Sequence, residues 1–134
     1  MKWIVLGVLM MCGRAAWAAG CTVSALGINF GVYDVFSNQP DDITGSITVS
    51  CAASTSYSIA ISSGRFMLSG QNKLFYNLFV DSTRTGIWGD GTGGTSVVST
   101  TDSGRAFPVY GRIEPRQNVA VGDYTDLVTV TVTY

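Results

Sequence analysis

Histidine is absent from this chain of 134 residues, which removes the commonest general base and the commonest metal ligand together. Lysine is nearly absent, at Lys2 and Lys73 only, and no Ser-x-x-Lys leads to Lys73, so a Ser–Lys nucleophile has no local signature. Charged residues make up 13% of the chain and its basic side chains are scattered; without a basic run there is no electrostatic footprint for nucleic acid. The acidic residues mostly sit beside Gly, Pro or Thr, the usual turn setting of Asp. No window of eleven or more residues beyond the N-terminal segment shows a helical period. These absences leave no catalytic residue, metal ligand or cofactor site to nominate, and the chain reads as a non-enzyme.

Long apolar runs are also missing. The longest, residues 3–12, is about ten residues, and roughly twenty are needed to span a bilayer, so no integral membrane span is expected. With Lys2 before this run and Ala16-Trp17-Ala18 after it, the segment reads as a secretory signal cut between Ala18 and Ala19. Residues 1–18 then form a cleaved signal and residues 19–134 one domain, long enough for a single core. That domain carries six basic against nine acidic residues, a net charge of −3. Ala18-Ala19-Gly20-Cys21 loosely resembles a lipoprotein processing site, but it lacks the usual Leu, and Arg14 separates it from the apolar run.

Cysteine is scarce but informative. Cys12 leaves with the signal, so the exported domain holds Cys21 and Cys51 alone. An even pair in an oxidising compartment favours a disulfide, with stabilisation of about 3–4 kcal/mol in the chain-entropy model. Lipidation of Cys21 would strand Cys51. Two cysteines so far apart, with no other soft ligand, do not make a zinc site.

What is present is β-strand pattern. Residues 126–134 place Val128, Val130, Val132 and Tyr134 on one face and Thr129, Thr131 and Thr133 on the other, the period of two that covers a core. A strand this apolar at the end of the chain needs a second neighbour, because an open edge presents unpaired N–H and C=O groups. Residues 44–51 alternate cleanly, as do residues 56–62. Their short connection at 52–55 predicts that the two pair as an antiparallel hairpin. In residues 22–30 the alternation shifts at Ala25-Leu26-Gly27, which suggests a bulge or a change of partner. Residues 73–81 are apolar on both faces and predict one central strand, and residues 107–113 alternate again. Six or seven short strands with turn signals between them predict an all-β sandwich.

Gly89-Asp90-Gly91-Thr92-Gly93-Gly94 formally matches G-x-G-x-x-G. That motif holds a pyrophosphate only where a strand runs into a helix, and residues 95–99 are not helical in pattern. A long glycine turn with Trp88 packed beneath it is the better reading. Trp88, Phe75, Phe79, Phe107 and Tyr110 are read as core aromatics rather than an exposed adhesive set.

Taken in order, several segments resemble the spore coat protein U domain family, shared with subunits of archaic chaperone-usher pili. They are Cys21-Thr22-Val23, Ile28-Asn29-Phe30-Gly31-Val32-Tyr33, Gly45-Ser46-Ile47-Thr48-Val49-Ser50-Cys51, Leu74-Phe75-Tyr76-Asn77-Leu78-Phe79, Trp88-Gly89-Asp90-Gly91, Val109-Tyr110-Gly111-Arg112-Ile113, Gly122-Asp123-Tyr124-Thr125-Asp126 and the closing Thr131-Val132-Thr133-Tyr134. The resemblance implies an incomplete immunoglobulin-like β-sandwich lacking its final strand. It implies a periplasmic chaperone that lends a strand, an outer-membrane usher, and a neighbouring pilus subunit whose extension replaces the lent strand. Ile28, Phe30, Val128, Val130, Val132 and Tyr134 would line this donor-strand groove. The implied route is secretion to the periplasm and then the cell surface. After cleavage only Ala19 and Gly20 would precede Cys21, too short for a donor strand, so a terminal or tip subunit is expected. A secreted spore-coat or matrix protein that assembles without an usher is the alternative.

Overall fold

Alternating apolar and polar side chains build two long strands, β4 (Asp41–Cys51) and β11 (Tyr124–Thr133), one in each sheet of the computed structural model. The structure describes residues 20–25, 27–62 and 65–134 with their side chains, and residues 2–11 as backbone. Cys12, Ala18, Ala19, Leu26, Ser63 and Gly64 lie outside the described residues, and with them the expected cleavage point.

The remaining strands are β1 (Lys2–Met11), β2 (Cys21–Ala25), β3 (Ile28–Gly31), β5 (Thr55–Ile61), β6 (Phe66–Ser69), β7 (Asn72–Phe75), β8 (Asn77–Phe79), β9 (Val98–Asp102) and β10 (Ala106–Ile113). One sheet runs β2-β4-β10-β8. The other runs β3-β1-β11-β5-β9, with β6 joined to β11 and β7 to β6. No described residue is helical. Ile47, Val49, Val109 and Ile113 of the first sheet meet Tyr57, Ile59, Ile61, Val128, Val130 and Val132 of the second in one buried core. The architecture is the all-β, immunoglobulin-like sandwich of two packed sheets.

Three local features hold the layers in place. The Cys21–Cys51 disulfide joins residues directly opposite in the β2–β4 ladder, and this bond uses the sulfur that lipidation would need. Trp88 is buried beneath its glycine-rich turn, and its indole N–H donates to the Ile59 carbonyl at 3.0 Å. Tyr124, at the start of β11, donates its hydroxyl to the Ala120 carbonyl at 2.6 Å. That bond ties the incoming loop to the strand as a tyrosine corner does.

Two pairings differ from the sequence expectation. Residues 44–51 and 56–62 do not form a hairpin: β4 lies between β2 and β10, whereas β5 lies between β11 and β9. Both edges of β4 are occupied, so the connection at 52–54 carries the chain across to the facing sheet. Alternation marks which side chains are buried; it does not say in which sheet. The central strand expected over 73–81 is broken at Tyr76 into β7 and β8, which belong to different sheets. The buried Tyr76 marks the crossing. Its hydroxyl donates to Asp126 at 2.6 Å. Phe75, just before the crossing, is 57% exposed and not core, and Tyr110 is only half-buried, while Phe79, Phe107 and Trp88 are buried as read from sequence.

Gly104 is required by backbone geometry. Its φ is +111°, and a Cβ there would lie 2.1 Å from the Val49 carbonyl oxygen. We expect Gly104→Ala to destabilise the domain by at least about 1–3 kcal/mol, measured as a lower urea midpoint at unchanged m-value. Asp42 links β4 to β10 through paired bonds from Arg112 at 2.7 and 2.9 Å, with Arg84 nearby. The Arg112 hydrogen bond holds its carboxyl below the usual range; burial opposes it, and the charges of Arg84 and Arg112 add to the lowering. Because the folded state lowers this pKa, the stabilisation is full above the unfolded value of about 3.9 and is lost as pH falls through the folded value. Asp42→Asn should cost about 0.5–1 kcal/mol at neutral pH, given its partial exposure, and should flatten the loss of stability between about pH 5 and pH 2, followed by chemical unfolding at each pH.

Candidate functional site

Threonine and valine in strict alternation make β11 a long, straight strand with a sealed inner face. Tyr124, Val128, Val130 and Val132 are buried, Thr129 and Thr131 are half-buried on the other face, and Leu127 stands 66% exposed. One edge of β11 is shared by β5, from Val130 to Thr133, and β6, at Thr125. The other edge faces a gap that the sandwich itself leaves between β11 and β3.

The position of β3 follows from the shift in pattern at residues 25–27. β2 ladders with β4 in one sheet, and the chain then crosses so that β3 joins the other. Two glycines permit this close approach. A Cβ on Gly45 would lie 2.6 Å from the Ile28 side chain, and one on Gly111 would lie 2.8 Å from the Phe30 ring. Ile28 and Phe30 therefore sink across the sandwich onto β4 and β10, and both are buried. Phe30 also meets Tyr76 at 6.1 Å between ring centroids.

The gap between β3 and β11 is filled by the chain's own N-terminal segment. β1 runs parallel to β11 from Lys2 opposite Tyr124 to Met11 opposite Thr133. On its other side it pairs antiparallel with β3, Lys2 with Gly31, Trp3 with Asn29 and Ile4 with Ile28, with a register shift after Lys2. The open edge expected for the terminal strand is thus occupied, over its whole length, by the stretch read from sequence as a secretory signal. A parallel strand cannot follow its neighbour through a tight hairpin; β1 and β11 lie at opposite ends of the sequence and meet only in the folded sheet.

The residues nominated for the groove are brought together around β1. Ile28 and Phe30 come from one flank, Val128, Val130 and Val132 from the other, and Tyr134 packs half-buried just past the end of β11. At the Lys2 end the flanks continue into the loops 32–36 and 119–122, which border an apolar hollow of about 530 Å³ with Val32, Phe36 and Val121 exposed at its rim. Sequence reading missed this hollow, because its residues belong to turns, where alternation carries no signal.

The remaining chemistry is structural. Asp81 accepts bonds from Thr83, Thr85 and Gly86, which hold its carboxyl well below the usual range and brace the turn. Asp90 and Thr95 knit the glycine-rich turn in the same way. No described cluster of three or more His, Cys, Asp or Glu could hold a metal ion.

Among solved structures, the chain is similar to a chain of the CsuC–CsuE chaperone–tip adhesion subunit pre-assembly complex from the archaic chaperone-usher Csu pili of Acinetobacter baumannii. The TM-score is 0.65 at 23% identity, covering 87% of this chain and 40% of that one. This is a likeness of fold, and the chain spans about two-fifths of that chain's length. Protein U of Myxococcus xanthus is 31% identical over a 145-residue alignment, which covers 92% of this chain and 77% of the relative. The family model described as the Spore Coat Protein U domain matches residues 8–131. With its fold, its ordered motifs and this match in agreement, the chain belongs to the Spore Coat Protein U domain family.

Proposed function

We propose that this chain is a structural subunit of a surface fibre of the chaperone-usher type, and that the groove between β3 and β11 is where it accepts a strand from another protein. The observation that carries this reading is the parallel pairing of β1 along the whole of β11. The fold has a place for one more strand, and the strand found there comes from a segment with the composition of a secretion signal. Cleavage between Ala18 and Ala19 would take that strand away and leave β3 and β11 without their common neighbour. A chaperone strand would then enter, followed by the extension of an adjoining subunit. Main-chain hydrogen bonds supply the affinity of such an addition, and the side-chain pockets supply its specificity.

The route follows from the same reasoning. The domain is exported to the periplasm, handed by a chaperone to an outer-membrane usher, and displayed on the cell surface. A subunit trimmed to Ala19 and Gly20 before Cys21 receives a strand without giving one, which suits a terminal or tip position. The structure of similar fold is described as a complex of a chaperone with a tip adhesion subunit. The family's description and the likeness to Protein U favour a second reading, a secreted coat or matrix protein that assembles without an usher. Genes for a chaperone and an usher beside this one would separate the two readings.

Secreted protein whose N-terminus is located by mass spectrometry should begin at Ala19. Expressed in a periplasm without its chaperone, it should be degraded or aggregate, and co-expression of the chaperone should rescue it. A stable monomer of residues 19–134 that gains nothing from a chaperone or donor peptide would overturn the groove. Val130 is buried and Thr131 is not. Val130→Asp should therefore abolish chaperone capture at a cost of roughly 3–5 kcal/mol, as for an unpaired buried charge, and Thr131→Asp should change stability by about 1 kcal/mol or less. Equal losses of soluble protein from the two variants would contradict the assigned faces.

A further inference from the structure

The only buried charged or polar side chain among the described residues is Arg65, which is 7% exposed. It enters the sandwich just before β6. One terminal nitrogen donates to the Trp88 carbonyl, and its Nε is buried with no hydrogen-bond partner. No described carboxylate lies within ion-pair distance of it. Asp126 acts on it only from further off, and that carboxylate is already held by the Tyr76 hydroxyl. A guanidinium has five N–H donors, and a buried cation is normally paired and hydrogen-bonded in full. Among the described residues Arg65 has a single acceptor, the Trp88 carbonyl.

The same side chain lines a cleft of about 350 Å³, between the β7–β8 crossing, the end of β10 and the loop before β9. Its apolar wall includes Phe75, 57% exposed, and Ile87. Its polar rim offers Asn77 and Glu114, whose side chains make no hydrogen bond to other described residues. Arg112 is also at the rim, but its charge is taken up by Asp42. The size falls within the range of small-molecule sites, and so does the mix of an apolar wall with a few convergent polar groups. The cleft borders β6, which joins the edge of β11 opposite β1. A strand seated between β3 and β11 would leave it open.

We infer that this cleft binds the carboxylate of a single acidic sugar unit, a uronic acid, with Arg65 as its anchor. A carboxylate offers the paired acceptors that a guanidinium fork matches. The C–H face of a sugar ring suits the exposed Phe75 ring. Asn77 can both donate to and accept from ring hydroxyls, and Glu114 can only accept. The Glu114 carboxylate also sets a negative charge at the rim, which opposes a compact dianion such as sulfate more strongly than a polyol with one carboxylate. This inference does not rest on the strand groove, and either can fail without the other.

The test is a titration of the isotopically labelled full chain, residues 1–134, with glucuronate, glucose and sulfate, followed by amide chemical shifts. Glucuronate should shift the amides of Asn77 and Arg65 saturably in the millimolar range, and glucose should bind at least about tenfold more weakly, reflecting loss of a charge-assisted pair. Arg65→Gln should lose at least about tenfold in glucuronate affinity, with Arg65→Lys between it and the wild type. Should Arg65→Gln fail to fold, Phe75→Ala and Asn77→Ala provide the reading, since both positions reach the surface; each should weaken glucuronate several-fold, roughly the worth of one contact, at unchanged stability. Three results would overturn the assignment: no saturable shift with glucuronate, equal affinity for glucose, or affinity for sulfate as high as for glucuronate.

Discussion

The hydrogen-bonding edge of β11 is the constraint on which the rest of the structure depends. A strand of alternating valine and threonine buries one face well, but its backbone needs partners on both sides. On one side β5 and β6 share the work. On the other the sandwich supplies nothing from residues 20–134, because β3 stands one strand away. The position between them is taken by β1, whose sequence has the character of an export signal. The partner that completes this sheet thus comes from the far end of the chain.

That strand position is shaped by contacts elsewhere. The disulfide fixes β2 on β4 at one end of a sheet. The chain then leaves that sheet, and β3 lands in the other only because Gly45 and Gly111 give Ile28 and Phe30 room to descend. With larger residues at those glycines, β3 would be pushed outward and the width of the groove would change. The groove is thus set from the opposite sheet, by residues that would never touch a docked strand.

Much of this was legible in the residues. The strand faces, the irregular glycine turn over Trp88, the cysteine pair and the change of partner near residue 26 all follow from local pattern. The hairpin assigned to residues 44–62 and the single strand assigned to residues 73–81 did not survive, for one reason. Both segments carry the chain between sheets within a few residues, and alternation is the same whether a strand stays in its sheet or crosses to the next. Phe75 looked like core because it sits among apolar neighbours, yet the break at Tyr76 turns it outward. Arg65 gave no signal at all: one arginine after a turn looks like any surface arginine until packing closes over it.

By itself the sequence determined the class of structure and the faces of its strands, since apolar periodicity and the lack of histidine and helical pattern are properties of neighbouring residues. It also determined that β11 would need a partner, because the demand for backbone hydrogen bonds is local. Which strands meet was decided only in the tertiary structure, as was the closing of Arg65 into a cleft and the seating of residues 2–11 against β11. These depend on segments far apart in the chain competing for the same edges and the same interior space, and no local pattern records the outcome of that competition.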